Sequence, residues 1–221
     1  MVAARDEKSV LELWDELMTR PSCYINELRL RACLEGSFSA AACRKLKASS
    51  RGQSRLSHVI SARYLLAGWV DPEQCNEADR VIALTSGERL AEIAMRAGAI
   101  FWSAEIAKVV QSKYAAVLYR QLGESICRSA IANRDLAGPV GRLKLVRDLV
   151  AMVKEDGLRC LSAWCQAQPS GVSRRVRLKL PPAEAFDRAQ RSPFVEVGPV
   201  IVRRAANWEI QLGGGGLSQS S

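Results

Sequence analysis

The sequence has a single histidine, His58, and this scarcity excludes most catalytic arrangements. A Ser/His or Cys/His pair would have to use that residue, and nothing in the sequence places a thiol or a carboxylate beside it. The motifs GxSxG and GxxxxGK[ST] are also missing, so neither a nucleophile elbow nor a phosphate-binding loop is indicated. We therefore expect no catalytic residues, no cofactor and no small-molecule substrate, as in a protein that is not an enzyme.

A metal-binding pattern is also missing. There is no Cys-x-x-Cys pair, and no cysteine lies within six residues of His58, whereas a structural zinc site needs four closely arranged ligands. The cysteines are odd in number and spread along helix-like segments, which favours buried thiols that act as small hydrophobic groups. A thiol-dependent enzyme would instead need one cysteine with a lowered pKa. The seven are Cys23, Cys33, Cys43, Cys75, Cys127, Cys160 and Cys165.

No apolar run is long enough to span a membrane, because charged residues interrupt every hydrophobic stretch. The first residues, MVAARDEKSVLELWDEL, mix acidic and basic side chains and predict an amphipathic helix over 6–19. A signal peptide would have an uncharged apolar core after its basic start. We therefore expect a cytoplasmic protein that does not insert into a membrane.

Acidic residues are fewer than basic ones. The 32 lysines and arginines exceed the 23 acids by nine, and residues 36–70 contain no acid. A surplus of this kind favours acidic partners such as nucleic acid, anionic lipid or an acidic protein surface. The basic clusters 44–55 and 174–179 contain no aromatic residue that could stack on a base, and this disfavours nucleic acid binding. A basic helical nucleic-acid-binding regulator remains the alternative hypothesis.

Helical periodicity is clearest in residues 85–139. Leu90, Ile93, Ala94 and Ala97 lie at i, i+3, i+4 and i+7, which places them on one face of a helix that Gly98 can end. Further apolar sets with the same spacing follow as far as Gly138-Pro139. The fold class predicted is mainly α, a compact bundle of short helices.

The C-terminal part has a different pattern. After a helix over 140–156 that Gly157 interrupts, RVRLKL at Arg175–Leu180 alternates basic and apolar residues with the period of a strand. Phe194–Arg204 is also β-prone, although Gly198 and Pro199 break it. These features predict a small β-prone part and a flexible glycine-rich tail. The predicted division is an α-helical domain at 1–168, a basic strand and short-helix appendage at 169–204 that packs on it, and a tail at 205–221.

The order of several short motifs carries a resemblance to a known family. An Arg89-Leu90 helix leads to Gly98-Ala99, the next helix ends in Val109-Val110, a Leu118-x-x-x-Leu122-Gly123 helix follows, and a basic-apolar segment runs from Arg177 to Pro181. The early PSCYINELRL adds a Pro-x-x-Tyr-Ile opening. Over 21–30 and 85–182 the chain thus resembles the SctK (YscK-like) family of bacterial type III secretion proteins. The basic segment 36–57 and the glycine-rich tail match nothing in that pattern.

The resemblance implies a non-enzymatic adaptor in the cytoplasmic sorting platform of a type III secretion system. Such a protein would link the cytoplasmic domain of the SctD-like inner-membrane ring protein to the SctQ-like pod protein. It would lie at the cytosolic face of the inner membrane when assembled. A surplus of positive charge is compatible with this role, since charge complementarity steers the encounter of protein partners.

Candidate partner-binding residues follow from charge and from aromatic character. Arg174, Arg175, Arg177 and Lys179 form either a docking edge or the solvated face of a strand. Trp102 is either an exposed aromatic anchor or part of the core.

Overall fold

Helices make up every regular element of the part of the chain that the structure describes. This computed structural model describes residues 9–66, 68–111, 113–139 and 146–207. The helices are α1 (Val10–Thr19), α2 (Pro21–Tyr24), α3 (Glu27–Cys33), α4 (Ala40–Ala48), α5 (Ser50–Arg63), α6 (Glu77–Leu84), α7 (Gly87–Phe101), α8 (Ser103–Val110), α9 (Ala115–Leu122), α10 (Glu124–Ala132), α11 (Val146–Gln166), α12 (Ser170–Leu178), α13 (Glu184–Asp187) and α14 (Phe194–Ala206). Two short 3₁₀ helices, Pro72–Gln74 and Arg134–Leu136, connect some of them. The predicted mainly α fold is confirmed.

The chain divides into two units. Unit 1 consists of Met1–Gly87 together with Gln168–Pro182, and unit 2 of Glu88–Ala167 together with Ala183–Ser221. Among the described residues, no helix is both long enough and apolar enough to cross a lipid bilayer.

Side-chain caps start many helices of unit 1. Ser9 forms a capping box with Glu12 at the start of α1, in which each side chain bonds the backbone amide of the other. The side chains of Asn26, Ser39 and Asn76 accept amide bonds at the starts of α3, α4 and α6. These polar residues satisfy amides that would otherwise have no partner within the helix.

A turn of one residue joins α4 to α5. Ser49 ends α4 and also caps α5, where its hydroxyl accepts a bond from the amide of Gly52. In the serine-rich segment ASSRGQSR, Ser49 is the one residue that lies outside a helix. Serine is a poor helix former by propensity but a good cap, so a serine-rich stretch can hold a helix boundary without a loop.

The core of unit 1 lies among α3, α4, α5 and α12. A cluster of apolar side chains is almost completely buried there, with Tyr24, Leu34, Leu46 and Tyr64 packed against it. Burial of this kind supplies most of the free energy that stabilises short helices, which are marginal in isolation. The cluster comprises Ile25, Leu30, Cys33, Cys43, Leu56, Ile60, Leu66 and Leu178.

In unit 2, α7 and α11 cross at two glycines. A Cβ atom added to Gly98 would lie 1.8 Å from the carbonyl oxygen of Val153, and one added to Gly157 would lie 2.0 Å from that of Ala94. Neither distance leaves room for a methyl group, so only glycine allows the two backbones to approach this closely. Both glycines were predicted to end or interrupt a helix. The structure instead shows α7 continuing to Phe101 and α11 continuing to Gln166.

The prediction of a β-prone C-terminal part was wrong. Arg175–Leu178 belongs to α12, and its buried residues Val172, Arg175 and Val176 recur with the spacing of a helix. The RVRLKL sequence alternates in polarity but not in burial, because Arg175 faces the interior with Val176. A segment of only three basic–apolar pairs is too short to distinguish the two-residue period of a strand from the 3.6-residue period of a helix.

The second β-prone segment is also helical. Phe194–Arg204 lies within α14, whose buried residues are Gly198, Ile201, Val202 and Ala205. Pro199 lacks the amide that would bond the carbonyl of Val195, but the Val195 side chain is 45% exposed, so water can reach this turn. The helix therefore tolerates the proline. Of the predicted tail, only Ala205–Asn207 belongs to the described residues. Of the predicted helix over 6–19, the structure describes Ser9–Thr19.

The glycine crossing generates a prediction for stability. In an ordinary helix, alanine is more stable than glycine by about 1 kcal/mol. At Gly98 or Gly157 the added methyl group forces the backbones apart, and we expect Gly98→Ala and Gly157→Ala each to lower the free energy of unfolding by about 2 kcal/mol or more. Urea denaturation of the full chain measures this change.

The matched control is Lys154→Ala, at an exposed position of the same helix α11. We expect it to change the free energy of unfolding by less than about 0.5 kcal/mol. A stabilising effect of alanine at both glycines would contradict the close crossing.

Candidate partner-binding surface

The four basic residues predicted to form one edge have different environments. Arg174 is exposed and Arg177 is half-buried, whereas Arg175 and Lys179 are only 3% and 6% exposed. All four lie on α12 or at its C-terminal end. The four residues are neighbours in sequence, but the helix directs their side chains to different sides. A partner can therefore reach only Arg174 and part of Arg177. Their role in partner binding stays a prediction.

Arg175 joins α12 to the C-terminal end of α1. Its Nε and Nη2 atoms donate to the carbonyl oxygen of Met18, at 3.2 and 2.9 Å, and Nη1 donates to the carbonyl oxygen of Gly171 at 2.9 Å. A further bond of 3.3 Å reaches the carbonyl oxygen of Gly68. Met18 lies in the last turn of α1, where carbonyl oxygens have no amide partner within the helix. The guanidinium therefore caps α1 and satisfies buried acceptors.

Lys179 makes the equivalent connection to α6. Its Nζ atom donates to the carbonyl oxygens of Ala83 and Thr85, at 2.7 and 2.8 Å, and lies 5.4 Å from the centre of the Tyr24 ring. The two carbonyls lie at the C-terminal end of α6, which carries partial negative charge. Burial lowers the pKa of Lys179 to about 8. At neutral pH the amine therefore keeps its proton, and the ammonium group faces acceptors on the backbone.

Arg29 extends the same arrangement to the end of α12. It is 7% exposed, and its Nε atom donates to the carbonyl oxygen of Leu180 at 2.6 Å. Its Nη2 atom donates to the carbonyl oxygen of Pro181 at 3.3 Å. Arg175 and Lys179 thus each cap the C-terminal end of a helix, and Arg29 holds the two residues that follow the C-cap of α12. Part of the basic surplus of the sequence serves the interior of unit 1 rather than a partner.

Trp102 belongs to the core of unit 2. It is 4% exposed, and its indole Nε1 donates to a carboxylate oxygen of Asp156 at 2.8 Å. Burial raises the pKa of Asp156, while the bonds from Trp102 and Arg159 oppose that rise. The other carboxylate oxygen of Asp156 accepts from Arg159 at 2.8 Å. The core alternative for Trp102 is the one that the structure supports.

Most of the exposed cations among the described residues of unit 1 lie on α4 and α5. Arg44, Lys45, Arg51, Arg55 and Arg63 are all exposed there. This surface has a signal in the sequence, because residues 36–70 contain six basic residues and no acid. Sequence reasoning treated it as a possible nucleic-acid cluster and did not propose these residues as a protein-binding site.

The remaining candidate groups do not form a reactive centre. His58 is exposed on α5, and six of the seven cysteines are buried free thiols, with Cys23 half-buried. Burial raises the pKa of Cys127 to about 11, which is opposite to the change that activates a thiol. Within the described ranges, no group of three or more His, Cys, Asp or Glu side chains could hold a metal ion.

The difference between Arg175 and Arg174 generates a second prediction. Arg175→Ala removes the charged donor from buried carbonyls, and we expect it to lower the free energy of unfolding by about 2 to 3 kcal/mol. Arg174→Ala is the matched control on the exposed side of the same helix, where it removes one solvent-exposed bond to the carbonyl oxygen of Leu65, and it should cost about 1 kcal/mol or less. Chemical denaturation of both variants measures the difference. An equal loss of stability in the two variants would contradict the assignment of Arg175 as a helix cap.

A third prediction concerns the pH dependence that Lys179 causes. Its pKa is about 8 in the folded chain against an ordinary value of 10.5, so the unfolded chain holds the proton more tightly. The free energy of unfolding of the wild type should therefore rise between pH 8 and 10.5, by about 3 kcal/mol relative to a Lys179→Met variant. Denaturation of both proteins at several pH values in this window measures the rise. A fall in the free energy of unfolding of the wild type relative to the variant over this pH window would contradict a buried ammonium group.

Comparison with protein families places the chain. A family model described as "YOP proteins translocation protein K (YscK)" matches residues 16–206, a range with parts in both units. No curated protein and no solved structure gives a significant match. The family match confirms the resemblance found in the sequence and covers far more than half of the chain. The chain therefore belongs to the YscK family and is a component of a type III secretion system.

Proposed function

We propose that this chain is a non-enzymatic adaptor of the sorting platform in a bacterial type III secretion system. It links the cytoplasmic domain of an SctD-like ring protein to an SctQ-like pod protein, at the cytosolic face of the inner membrane. The observation that carries the proposal is the family match over 16–206, which includes α2 to α14 and the last four residues of α1. A link between two proteins needs at least two binding surfaces.

The distribution of charge supports binding to an acidic protein surface. Arg174 on α12 and the five exposed cations of α4 and α5 are accessible, whereas Arg29, Arg175 and Lys179 are used inside unit 1. Exposed charges of one sign increase the rate of encounter with an oppositely charged partner and orient it. Their contribution to affinity decreases as salt screens them.

Co-purification tests the proposal. The full chain should bind both a ring-protein cytoplasmic domain and a pod protein, at concentrations of about 1 to 10 micromolar, as expected for transient assemblies. Binding to at least one of them should weaken as ionic strength rises. Size-exclusion chromatography coupled to light scattering measures both complexes. Failure to bind either protein at low ionic strength would overturn the adaptor function.

A charge-reversed variant tests the predicted docking residues. Arg174→Glu with Arg177→Glu should weaken one of the two complexes about tenfold, because each change replaces attraction with repulsion. The control is Lys113→Glu with Arg120→Glu, which makes the same change in net charge at exposed residues of unit 2. Equal binding of the test variant, the control and the wild type would exclude Arg174 and Arg177 as a docking edge.

A further inference from the structure

Unit 1 has an apolar groove between the end of α3 and the α4–α5 pair. Leu34, Leu46 and Leu56 line it. Leu56 belongs to the buried cluster of unit 1, and Leu34 and Leu46 pack against that cluster while remaining half-buried. The groove is therefore the outer side of the core, and its lining is fixed by the same packing that stabilises the helices.

Two large apolar side chains extend this lining to the surface. Phe38 is 42% exposed and Val59 is 43% exposed, and both line the groove. Single exposed apolar residues are ordinary, but adjacent ones beside an apolar groove indicate a site for a protein partner. The apolar lining thus offers contact area that a partner with aliphatic or aromatic side chains can bury.

Two arginines stand at the same groove. Arg51 and Arg55 line it and are exposed, and they lie four residues apart on α5, which places them about 6 Å apart along the helix axis. No described residue forms an ion pair with either guanidinium, whereas Arg44 nearby is paired with Glu27 at 3.3 Å. Arg51 and Arg55 are the charged side chains among the described residues that line the groove, so the charge of its lining is positive.

We propose that this groove binds an acidic amphipathic helix of a partner protein. The apolar face of such a helix would lie against Leu34, Leu46 and Val59, and carboxylates spaced by one turn would meet Arg51 and Arg55. Helices bind in grooves in this way through apolar residues at i, i+3, i+4 and i+7. The proposal rests on the adaptor function proposed above and assigns one of its binding surfaces.

The apolar lining favours a protein helix over nucleic acid. Binding to a phosphate backbone depends on cations and is insensitive to aliphatic contacts. Here the cations flank a surface made largely of leucine, valine and phenylalanine side chains. A duplex would leave that surface uncovered, whereas an amphipathic helix buries it.

The test uses the full chain and a fluorescein-labelled peptide of about 14 residues, long enough for four helical turns. Leucines occupy one face of the peptide and glutamates the other, and a second peptide has lysine in place of every glutamate. Fluorescence anisotropy measures the dissociation constants. We expect the acidic peptide to bind and the basic peptide to bind at least about tenfold more weakly.

Two variants separate the charge from the apolar lining. Arg51→Glu with Arg55→Glu should weaken binding of the acidic peptide at least about tenfold, because both ion pairs become repulsive. Phe38→Ser with Val59→Ser keeps the net charge and should weaken binding about threefold or more through the loss of buried apolar area. Lys113→Glu with Arg120→Glu again serves as the control for net charge and should bind as the wild type does. Circular dichroism verifies that each variant is folded.

Three results would overturn the inference. The first is that the wild type does not bind the acidic peptide at about 100 micromolar. The second is that the wild type and the Arg51/Arg55 variant bind the peptide equally. The third is that a single-stranded oligonucleotide binds the wild type more tightly than the peptide does, and binds the Phe38/Val59 variant with the same affinity as the wild type. The last result would assign the surface to nucleic acid.

Co-purification with the ring and pod proteins distinguishes this failure from failure of the adaptor function. If the Arg51/Arg55 variant binds both proteins as the wild type does, the groove is not a platform surface and the inference fails while the adaptor function stands. If the wild type binds neither protein, the adaptor function fails whatever the peptide does. Selective loss of one of the two proteins by the Arg51/Arg55 variant, with the control variant unaffected, supports the groove as the site of that partner.

Discussion

Buried cations that bond to the carbonyl ends of helices are the interaction on which the fold of unit 1 depends. Every helix leaves its last carbonyl oxygens without amide partners, and short helices have a large share of such groups. Arg175 and Lys179 satisfy them at the ends of α1 and α6, and Arg29 bonds to the carbonyl oxygen of Leu180 in the segment that follows α12. Each long side chain joins segments that are far apart in sequence, so losing one would leave buried acceptors unpaired. A basic composition is thus partly a consequence of building a small unit from many short helices.

Unit 2 is arranged around a different constraint, the close approach of α7 and α11. Gly98 and Gly157 face the opposite backbone, and small residues are what permit helices to cross at such short distances. The sequence indicated helices on both sides of each glycine but not the contact between them. Glycine ends helices often enough that a break was the ordinary interpretation. Only the partner helix, which sequence periodicity does not reveal, shows why glycine lies inside each helix.

The mainly helical fold could be predicted from the sequence, because Leu90, Ile93, Ala94 and Ala97 repeat with a clear helical period and are all buried. The family was indicated by a resemblance in the order of short motifs, which periodicity alone does not provide. The character of α12 could not. Local polarity assigns Arg175, Arg177 and Lys179 to one solvent-exposed face of a strand, whereas the structure buries Arg175 and Lys179. Burial of a cation depends on acceptors supplied by distant segments, here Met18 and Gly68. The apolar groove beside Arg51 and Arg55 could not be predicted for the same reason, because it forms only where α3, α4 and α5 pack together.

The central claim is that the cations of this chain divide into buried helix caps and accessible residues that meet a partner. Arginine-specific labelling with phenylglyoxal, read residue by residue by mass spectrometry, tests this division directly. The account predicts that Arg51 and Arg55 react readily in the native chain and become protected when the acidic peptide is added. Arg29 and Arg175 should react only after unfolding. Native labelling of Arg175 as fast as that of Arg51, or unchanged labelling of Arg51 and Arg55 with peptide bound, would contradict it.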